Sequence, residues 1–137
     1  MNVGAGATGQ VEADGIERCD AADLAERGKA FLFDVMLWNE VVPAFALRFE
    51  GKVVAFVNRC AHVAAEMDWQ PGEFLDDSRE WIICSLHGAV YDPRTGHCVG
   101  GPCLRGRLIE VAVAERAGKV YWYPSAGQGL RPCPAFG

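Results

Sequence analysis

The sequence has no long hydrophobic run and no N-terminal export signal. Its most apolar segments, FLFDVML and VVPAFALRF, are short and are interrupted by an aspartate or a proline, whereas a membrane-spanning helix needs about 20 consecutive apolar residues. The first 15 residues, MNVGAGATGQVEADG, contain neither a basic start nor an apolar segment of signal-peptide length. From these absences we predict a cytoplasmic protein that makes no contact with a membrane.

Positive charge is also scarce. The net charge is −5, and no basic patch is present that would neutralise nucleic-acid phosphates, so we predict no nucleic-acid partner. Between Cys60 and Glu80 a single base, Arg79, accompanies six acids: Glu66, Asp68, Glu73, Asp76, Asp77 and Glu80. Such a run is typical of a solvated loop or of a face that attracts a basic partner, and the sequence leaves both alternatives open.

Helical periodicity is almost absent as well. Only residues 20–28, DAADLAERG, have the capping and stop residues of a short helix or turn. Elsewhere apolar residues alternate: Phe45, Leu47 and Phe49 share one face, as in a half-buried strand. Glu50 and Gly51 then form a tight turn. Further strands are predicted at residues 53–57, 81–84, 89–91, 108–114 and 119–123.

These short strands predict an all-β protein with antiparallel sheets. The 137 residues suffice for one hydrophobic core, and we assign that single domain to residues 16–124. Residues 1–15 offer little to bury and are expected to form a mobile tail. Residues 125–137 contain Gly and Pro with little periodicity, and we expect them to lie on the surface as a C-terminal tail.

Six cysteines in a chain of this length favour metal ligation or redox chemistry if the compartment is reducing. Cys98 and Cys103 stand on either side of a Gly-Gly-Pro segment and could pair. A reducing compartment disfavours that disulfide, so we expect small buried thiols. Cys19 and Cys133 lie near opposite ends of the chain and are expected to be free. His97, after a Thr-Gly turn, is expected at the surface.

Two cysteine–histidine pairs carry the strongest chemical signal. Cys60 and His62 follow the apolar segment VVAFVNR, and Cys84 and His87 follow EWII. Each pair therefore begins a loop at the end of a strand, and two such loops can converge on one metal. Thiolate and imidazole ligands suit zinc or an iron–sulfur cluster. Zinc signatures usually place two cysteines before two histidines, whereas each loop here mixes one of each.

The spacing CxH, 21 intervening residues, then CxxH resembles the Rieske iron–sulfur family. The resemblance extends from about Phe31 to Tyr123 and includes CAH (60–62), CSLHG (84–88), YDPRTG (91–96) and GGPC (100–103). It implies the Rieske fold, in which a small cluster-binding subdomain, here about residues 58–105, is inserted in a larger antiparallel β base. It also implies one [2Fe–2S] cluster per chain. The implied ligands are Cys60 and Cys84 on one iron, and His62 and His87 on the other.

The same resemblance implies residues that surround the cluster. Tyr91 is expected to donate a hydrogen bond to a ligand cysteine, Gly88 follows the ligand His87, and Pro102 belongs to a loop that covers the cluster.

Two thiolates and two neutral imidazoles leave an oxidised [2Fe–2S] site uncharged, whereas four thiolates leave it at −2. Adding an electron to the uncharged site therefore costs less free energy. This agrees with reduction potentials of about −150 to +300 mV for Rieske centres and about −400 mV for four-cysteine plant-type centres.

Three positions lower the expected potential within that range. High-potential family members carry two further cysteines, which form a disulfide, where this sequence has Ala65 and Leu86. They also carry a serine that donates to a cluster sulfide, at the position of Ala89. The sequence retains Tyr91 but lacks these other features, so we predict a low to intermediate potential.

The resemblance implies a soluble ferredoxin, an electron-transfer protein that is not itself an enzyme. Its expected partners are a flavin-dependent reductase and a terminal oxygenase. Oxygenases of this family add a domain with mononuclear iron, but only His97 remains here for a two-histidine, one-carboxylate site. Two alternatives stay open: an accessory or redox-sensing subunit of a larger oxidoreductase, and a zinc-stabilised interaction module without redox activity.

Overall fold

The part of the chain that the structure describes contains ten strands, which pair antiparallel. A computed structural model describes residues 15–61, 65–103 and 105–133. The strands are β1 (Ile16–Asp20), β2 (Phe31–Leu37), β3 (Glu40–Phe49), β4 (Lys52–Val57), β5 (Ile82–Ile83), β6 (Val90–Tyr91), β7 (Cys98–Gly100), β8 (Ala112–Arg116), β9 (Lys119–Tyr123) and β10 (Leu130–Arg131). Within these residues no helix is long and apolar enough to span a bilayer.

Two sheets form the base of the fold. One has the strand order β1-β9-β8 and the other β10-β2-β3-β4. Their facing sides share one hydrophobic core, in which Val35 and Val42 of the second sheet pack with Trp122 of the first. Burial of these apolar side chains is the main stabilising contribution to a sandwich of this kind. The two ends of the chain thus build the base together.

The opposite face of β3 and β4 carries the third sheet, β5-β6-β7. Phe45 of β3 and Phe56 of β4 lie in a second core with Phe74, and the rings of Phe45 and Phe74 stack with centroids 3.7 Å apart. Because both faces of β3 are covered, its burial does not alternate after Val42 as it would in a half-exposed strand. The third sheet and its loops fall within the predicted insertion, residues 58–105.

An ion pair fastens the YDPRTG turn to the base. Arg94 Nε and Nη2 bind the two carboxylate oxygens of Glu50 at 2.8 and 2.6 Å. The Asp92 carboxylate accepts the Arg94 backbone N–H at 2.9 Å and shapes the turn. Glu50 and Gly51 both have positive φ, as the predicted tight turn between β3 and β4 requires.

The predicted all-β class is confirmed, but one strand boundary is wrong. The short helix or turn predicted within residues 20–28 is a single 3₁₀ turn, Ala21–Asp23, and the described residues have further 3₁₀ turns at Gly101–Cys103 and Ala126–Gln128. The strand predicted at residues 108–114 begins only at Ala112, because the preceding segment leaves the sheet to run beside β4. There the Val57 N–H donates to the Ile109 carbonyl at 2.9 Å.

The predicted surface tail after Pro124 is also corrected. Ser125 to Arg131 fold back, and β10 pairs antiparallel with the end of β2, with Leu130 opposite Leu37. Leu130 is fully buried in the base core. No local periodicity marks a two-residue strand, so its tertiary pairing is invisible in the sequence. Residues 134–137 and most of the predicted N-terminal tail, residues 1–14, lie outside the described residues.

Replacing Leu130 by alanine tests this correction. Removal of a fully buried leucine side chain is expected to lower the free energy of unfolding by about 2–4 kcal/mol. Arg131→Ala, at the exposed neighbouring position, is the control and should change it by less than about 0.5 kcal/mol. Urea denaturation followed by circular dichroism gives both values. Equal, small effects would mean that residues 125–131 are a surface tail after all.

Candidate metal centre

The two cysteines of the predicted pairs begin turns of the same form. The Cys60 N–H donates to the Ala65 carbonyl at 2.9 Å, and the Cys84 N–H donates to the Ala89 carbonyl at 2.8 Å. In both turns the bond joins residues five positions apart. The second turn is tightened by Gly88, whose N–H donates to the Cys84 carbonyl at 2.9 Å and whose φ is +73°. That conformation favours glycine.

Hydrogen bonds hold the two turns against each other. The Ser85 N–H, just after Cys84, donates to the Met67 carbonyl at 3.0 Å, and Met67 follows the first turn. Asn58 fixes the base of the first turn: its Oδ1 accepts the Met67 N–H at 2.8 Å and its Nδ2 donates to Asp68 at 3.0 Å. Asn58 is only 4% exposed, so its amide is buried with its hydrogen-bonding groups satisfied.

Three of the four predicted ligands meet in one place. Cys60 Sγ, Cys84 Sγ and a ring nitrogen of His87 lie within 4.8 Å of one another. Both cysteines are buried and His87 is half-buried, with its Nδ1 3.3 Å from Cys84 Sγ. The predicted fourth ligand, His62, lies outside the described residues. Two sulfurs and an imidazole nitrogen this close together suit a metal that accepts soft ligands.

Burial raises the pKa of the Cys84 thiol, and the neighbouring Cys60 raises it further. Without a metal the proton therefore stays on sulfur, since a thiolate here would be desolvated and close to a second sulfur. A bound metal replaces these protons and supplies the positive charge that the buried thiolates need. The donor atoms and their setting thus fit a metal centre and have no evident use without one.

Tyr91 lies against Cys60, one of the predicted ligands. Its phenol oxygen accepts the Ala61 N–H at 2.9 Å and lies 3.3 Å from Cys60 Sγ. Because the oxygen accepts from the backbone, its own hydrogen is free to be donated to a thiolate at Cys60. Burial, more than any other factor, raises the pKa of Tyr91. The hydroxyl is therefore protonated throughout the neutral range and is available as a donor.

Gly101 and Gly106 each pack against one of the two turns. A Cβ on Gly101 would lie 2.9 Å from Ala89 Cα, and Gly101 also abuts the Gly88 carbonyl. A Cβ on Gly106 would lie 3.0 Å from Ala61 Cβ, at the first turn. Such close approaches require glycine. Pro102, which the sequence predicts in a loop over the cluster, is exposed in the 3₁₀ turn Gly101–Cys103.

The expectation of two separate thiols at Cys98 and Cys103 is wrong. The chain folds back at Gly101–Cys103, brings the two Cα atoms to 5.8 Å, and the cysteines form a disulfide. That separation is within the ordinary range for a disulfide. The expectation rested on the compartment and took no account of this turn. Cys19 and Cys133 are free, as predicted, and His97 is exposed.

Sequence reasoning missed Asn58. The only signal is its position, as a polar residue at the end of the apolar strand β4 and two residues before a candidate ligand. Its role depends on contacts with Met67 and Asp68, about ten positions further along the chain. In the acidic segment between Cys60 and Glu80, Phe74 is buried, whereas Trp69 is 45% exposed.

The chain matches a family model and several solved structures. The family model described as the Rieske [2Fe-2S] domain matches residues 10–121. A search of curated proteins found no match. The ferredoxin of carbazole 1,9a-dioxygenase from Nocardioides aromaticivorans IC177 is similar, with a TM-score of 0.62, 21% identity, and coverage of 81% of this chain and 98% of that one.

Two further structures extend the likeness. A complex of reduced oxygenase and oxidized ferredoxin in carbazole 1,9a-dioxygenase matches with a TM-score of 0.61, 21% identity, and coverage of 80% of this chain and 93% of that one. The terminal oxygenase of carbazole 1,9a-dioxygenase from Nocardioides aromaticivorans IC177 matches with a TM-score of 0.59 and 21% identity, over 80% of this chain but 29% of that one. At these identities the likeness establishes the fold.

The family model spans most of the chain, from the tail before β1 into β9. Its span contains both cysteine turns, Tyr91 and the segment that covers them. The buried donor atoms found by geometry are of the type that such a domain uses for its cluster. The chain therefore belongs to the Rieske [2Fe-2S] domain family, and its cofactor is a Rieske-type [2Fe–2S] cluster.

Proposed function

We propose that this protein is a ferredoxin that carries single electrons from a flavin-dependent reductase to a terminal oxygenase. The observation that carries the proposal is the convergence of Cys60, Cys84 and His87 in a domain that covers 98% of a ferredoxin's length but 29% of a terminal oxygenase. The chain thus corresponds to the carrier and to the electron-entry portion of the oxygenase. The cofactor supplies the one-electron chemistry.

The residues that hold the cluster in this proposal are Cys60 and Cys84 through sulfur, and His87 and His62 through ring nitrogens. Their setting serves electron transfer because the cysteines are buried while His87 is only half-buried. Leu86, the neighbour of His87, is 67% exposed. The histidine side of the site therefore approaches the surface, where a partner can come close to it. Tyr91, Gly88 and Pro102 keep their predicted supporting roles.

The protein is proposed as a carrier and not as a catalyst. Within the described ranges, Cys60, Cys84 and His87 form the sole group of cysteine, histidine and acidic side chains with metal-binding geometry. The remaining histidine, His97, is exposed on the YDPRTG side of the third sheet. The proposal therefore assigns oxygen activation to the partner. A cytoplasmic location remains a prediction from the sequence.

Stopped-flow spectroscopy with a terminal oxygenase tests the proposal. The protein, reduced with dithionite and freed of excess reductant, should show a Rieske-type electron paramagnetic resonance signal. It should then be reoxidised in proportion to the amount of added oxygenase. Intact cluster that no terminal oxygenase reoxidises would contradict the proposal. Persistent co-purification with one large protein would instead support the accessory-subunit alternative.

Replacing Tyr91 by phenylalanine is expected to lower the midpoint potential by about 50 mV. A hydrogen bond to a ligand sulfur is stronger when the site carries one more negative charge. A difference of about 1 kcal/mol between the two redox states corresponds to about 45 mV for a one-electron couple. A redox titration followed by electron paramagnetic resonance measures the shift. Tyr121→Phe, in β9 of the base, is the control, and an unchanged potential in Tyr91→Phe would mean that the phenol does not donate to the ligand.

A further inference from the structure

A groove beside the second cysteine turn combines an exposed aromatic ring with uncompensated negative charge. It has a volume of about 280 Å³ and is lined by Trp69, Leu75, Asp76, Asp77 and Ile83. Ile83 is the residue immediately before the proposed ligand Cys84. The groove is therefore one residue along the chain from a proposed ligand, on the side of the acidic segment.

The indole of Trp69 is held in place although much of it is exposed. Its Nε1–H donates to the Leu75 carbonyl at 3.1 Å, across the groove. The segment that carries it is fixed in turn, because the Trp69 N–H donates to the Glu73 carbonyl at 3.1 Å and Leu75 bridges to Ile82. An exposed tryptophan that is fixed in this way presents a ring face at little further entropic cost.

The acids of the segment differ in whether their charge is already neutralised. Glu73 pairs with Arg79 at 3.4 Å, and Asp68 accepts from Asn58 and from the Gly72 N–H. Asp76 and Asp77 form no ion pair with a base among the described residues. Ser78 Oγ donates to Asp76 Oδ1 at 2.7 Å, which positions the carboxylate without neutralising it. The groove thus carries two negative charges beside a fixed indole.

We propose that this groove receives an arginine side chain of a protein redox partner, so that the partner docks beside Cys84. The inference rests on the proposed electron-carrier function for the partner's identity. A guanidinium is the group that both stacks on an indole and pairs with carboxylates. An anionic partner such as a nucleic acid or an acidic membrane would be repelled by the same charges. The acidic segment is then a docking face and not merely a solvated loop.

A blocked hexa-arginine peptide, titrated calorimetrically into the cluster-containing protein at low salt, tests the groove itself. Asp76→Asn combined with Asp77→Asn should weaken binding roughly tenfold, since two exposed ion pairs are lost. The double variant Asp23→Asn with Glu110→Gln makes the same change in net charge at exposed positions that form no ion pair with another described residue. It should change binding less than about twofold. Equal losses in both double variants would overturn the proposal in favour of net charge alone.

Two substitutions of Trp69 isolate the contribution of the ring. Trp69→Phe and Trp69→Leu both remove the bond to the Leu75 carbonyl, but only phenylalanine keeps an aromatic face. We expect Trp69→Leu to bind the peptide about threefold more weakly than Trp69→Phe. Equal affinities would show that no cation stacks on this ring. Calcium binding that disappears in the Asp76/Asp77 double variant would assign the groove to a metal ion and would also overturn the proposal.

Electron-transfer rates separate this proposal from the carrier function. Reduced protein is mixed with cytochrome c, a cationic haem protein, and separately with ferricyanide, an anionic acceptor. The Asp76/Asp77 double variant should react roughly fivefold more slowly with cytochrome c and no more slowly with ferricyanide. A cytochrome c rate unaffected by the double variant would overturn the docking role. The protein could bind the peptide in the groove normally and yet reduce no protein acceptor. That result would count against the carrier function and not against the groove.

Discussion

Cys84→Ala is expected to abolish cluster binding, whereas Cys19→Ala should leave it intact. Both cysteines are free thiols, but only Cys84 lies with Cys60 and His87 in the buried donor group. An alanine provides no donor to replace the lost sulfur. One iron would then keep only one of its two proposed protein ligands, so the [2Fe–2S] core should not be retained. Iron and acid-labile sulfide analysis should find two of each per chain in Cys19→Ala and neither in Cys84→Ala.

A histidine pair extends the same experiment to the ligand that the structure does not describe. His62→Ala should lose the cluster, and His97→Ala, at an exposed position, should keep it. Because both variants remove one imidazole, the comparison distinguishes a ligand from an unspecific effect of losing a histidine. Purified wild-type protein that contained zinc and no acid-labile sulfide would contradict the assignment. Normal iron and sulfide in His62→Ala would mean that another residue completes the site.

The strands that could be predicted are those whose local pattern decides their structure. In β3 and β4 a run of apolar residues is divided by Glu50 and Gly51, and the turn between them is visible in the sequence. The prediction omits β1, β2, β7 and β10. Of these, β1 and β10 pair with strands far along the chain, whereas β2 and β7 pair with their neighbours β3 and β6. β10 illustrates the limit, because Leu130 is buried only through its pairing with Leu37, more than 90 positions earlier.

The candidate site was more predictable than the fold around it. Ligand chemistry constrains residue type and spacing, so Cys60, Cys84 and His87 are recognisable in the sequence, and the structure brings all three together. The residues that position these side chains are harder to recognise in the sequence. Asn58 acts through the backbone of Met67, and the contact of Gly106 with Ala61 joins positions 45 residues apart. The family resemblance supplied Tyr91, but its bond from the Ala61 N–H follows only from the geometry.

Loss of the Cys98–Cys103 disulfide is expected to expose the metal centre. The disulfide closes the segment that contains Gly101 and Pro102, and Gly101 packs directly on the Gly88–Ala89 backbone beside His87. Cys103 itself is buried in the same core as Cys60 and Cys84. Without the disulfide cross-link, the loop needs less free energy to move away from the metal centre. For a loop of this length the chain-entropy estimate is about 2 kcal/mol.

Iron release to a chelator measures this opening. If the covering loop must open before the chelator reaches the iron, 2 kcal/mol corresponds to a release rate roughly 30-fold higher in the double variant Cys98→Ser with Cys103→Ser. Cys19→Ser with Cys133→Ser also removes two cysteine sulfurs, but from thiols that are free, and should leave the rate unchanged. Wild-type protein treated with dithiothreitol should release iron as fast as the Cys98/Cys103 variant, because thiol exchange opens the same loop. Identical rates in all these samples would mean that the chelator reaches the iron by a path that the Gly-Gly-Pro segment does not cover.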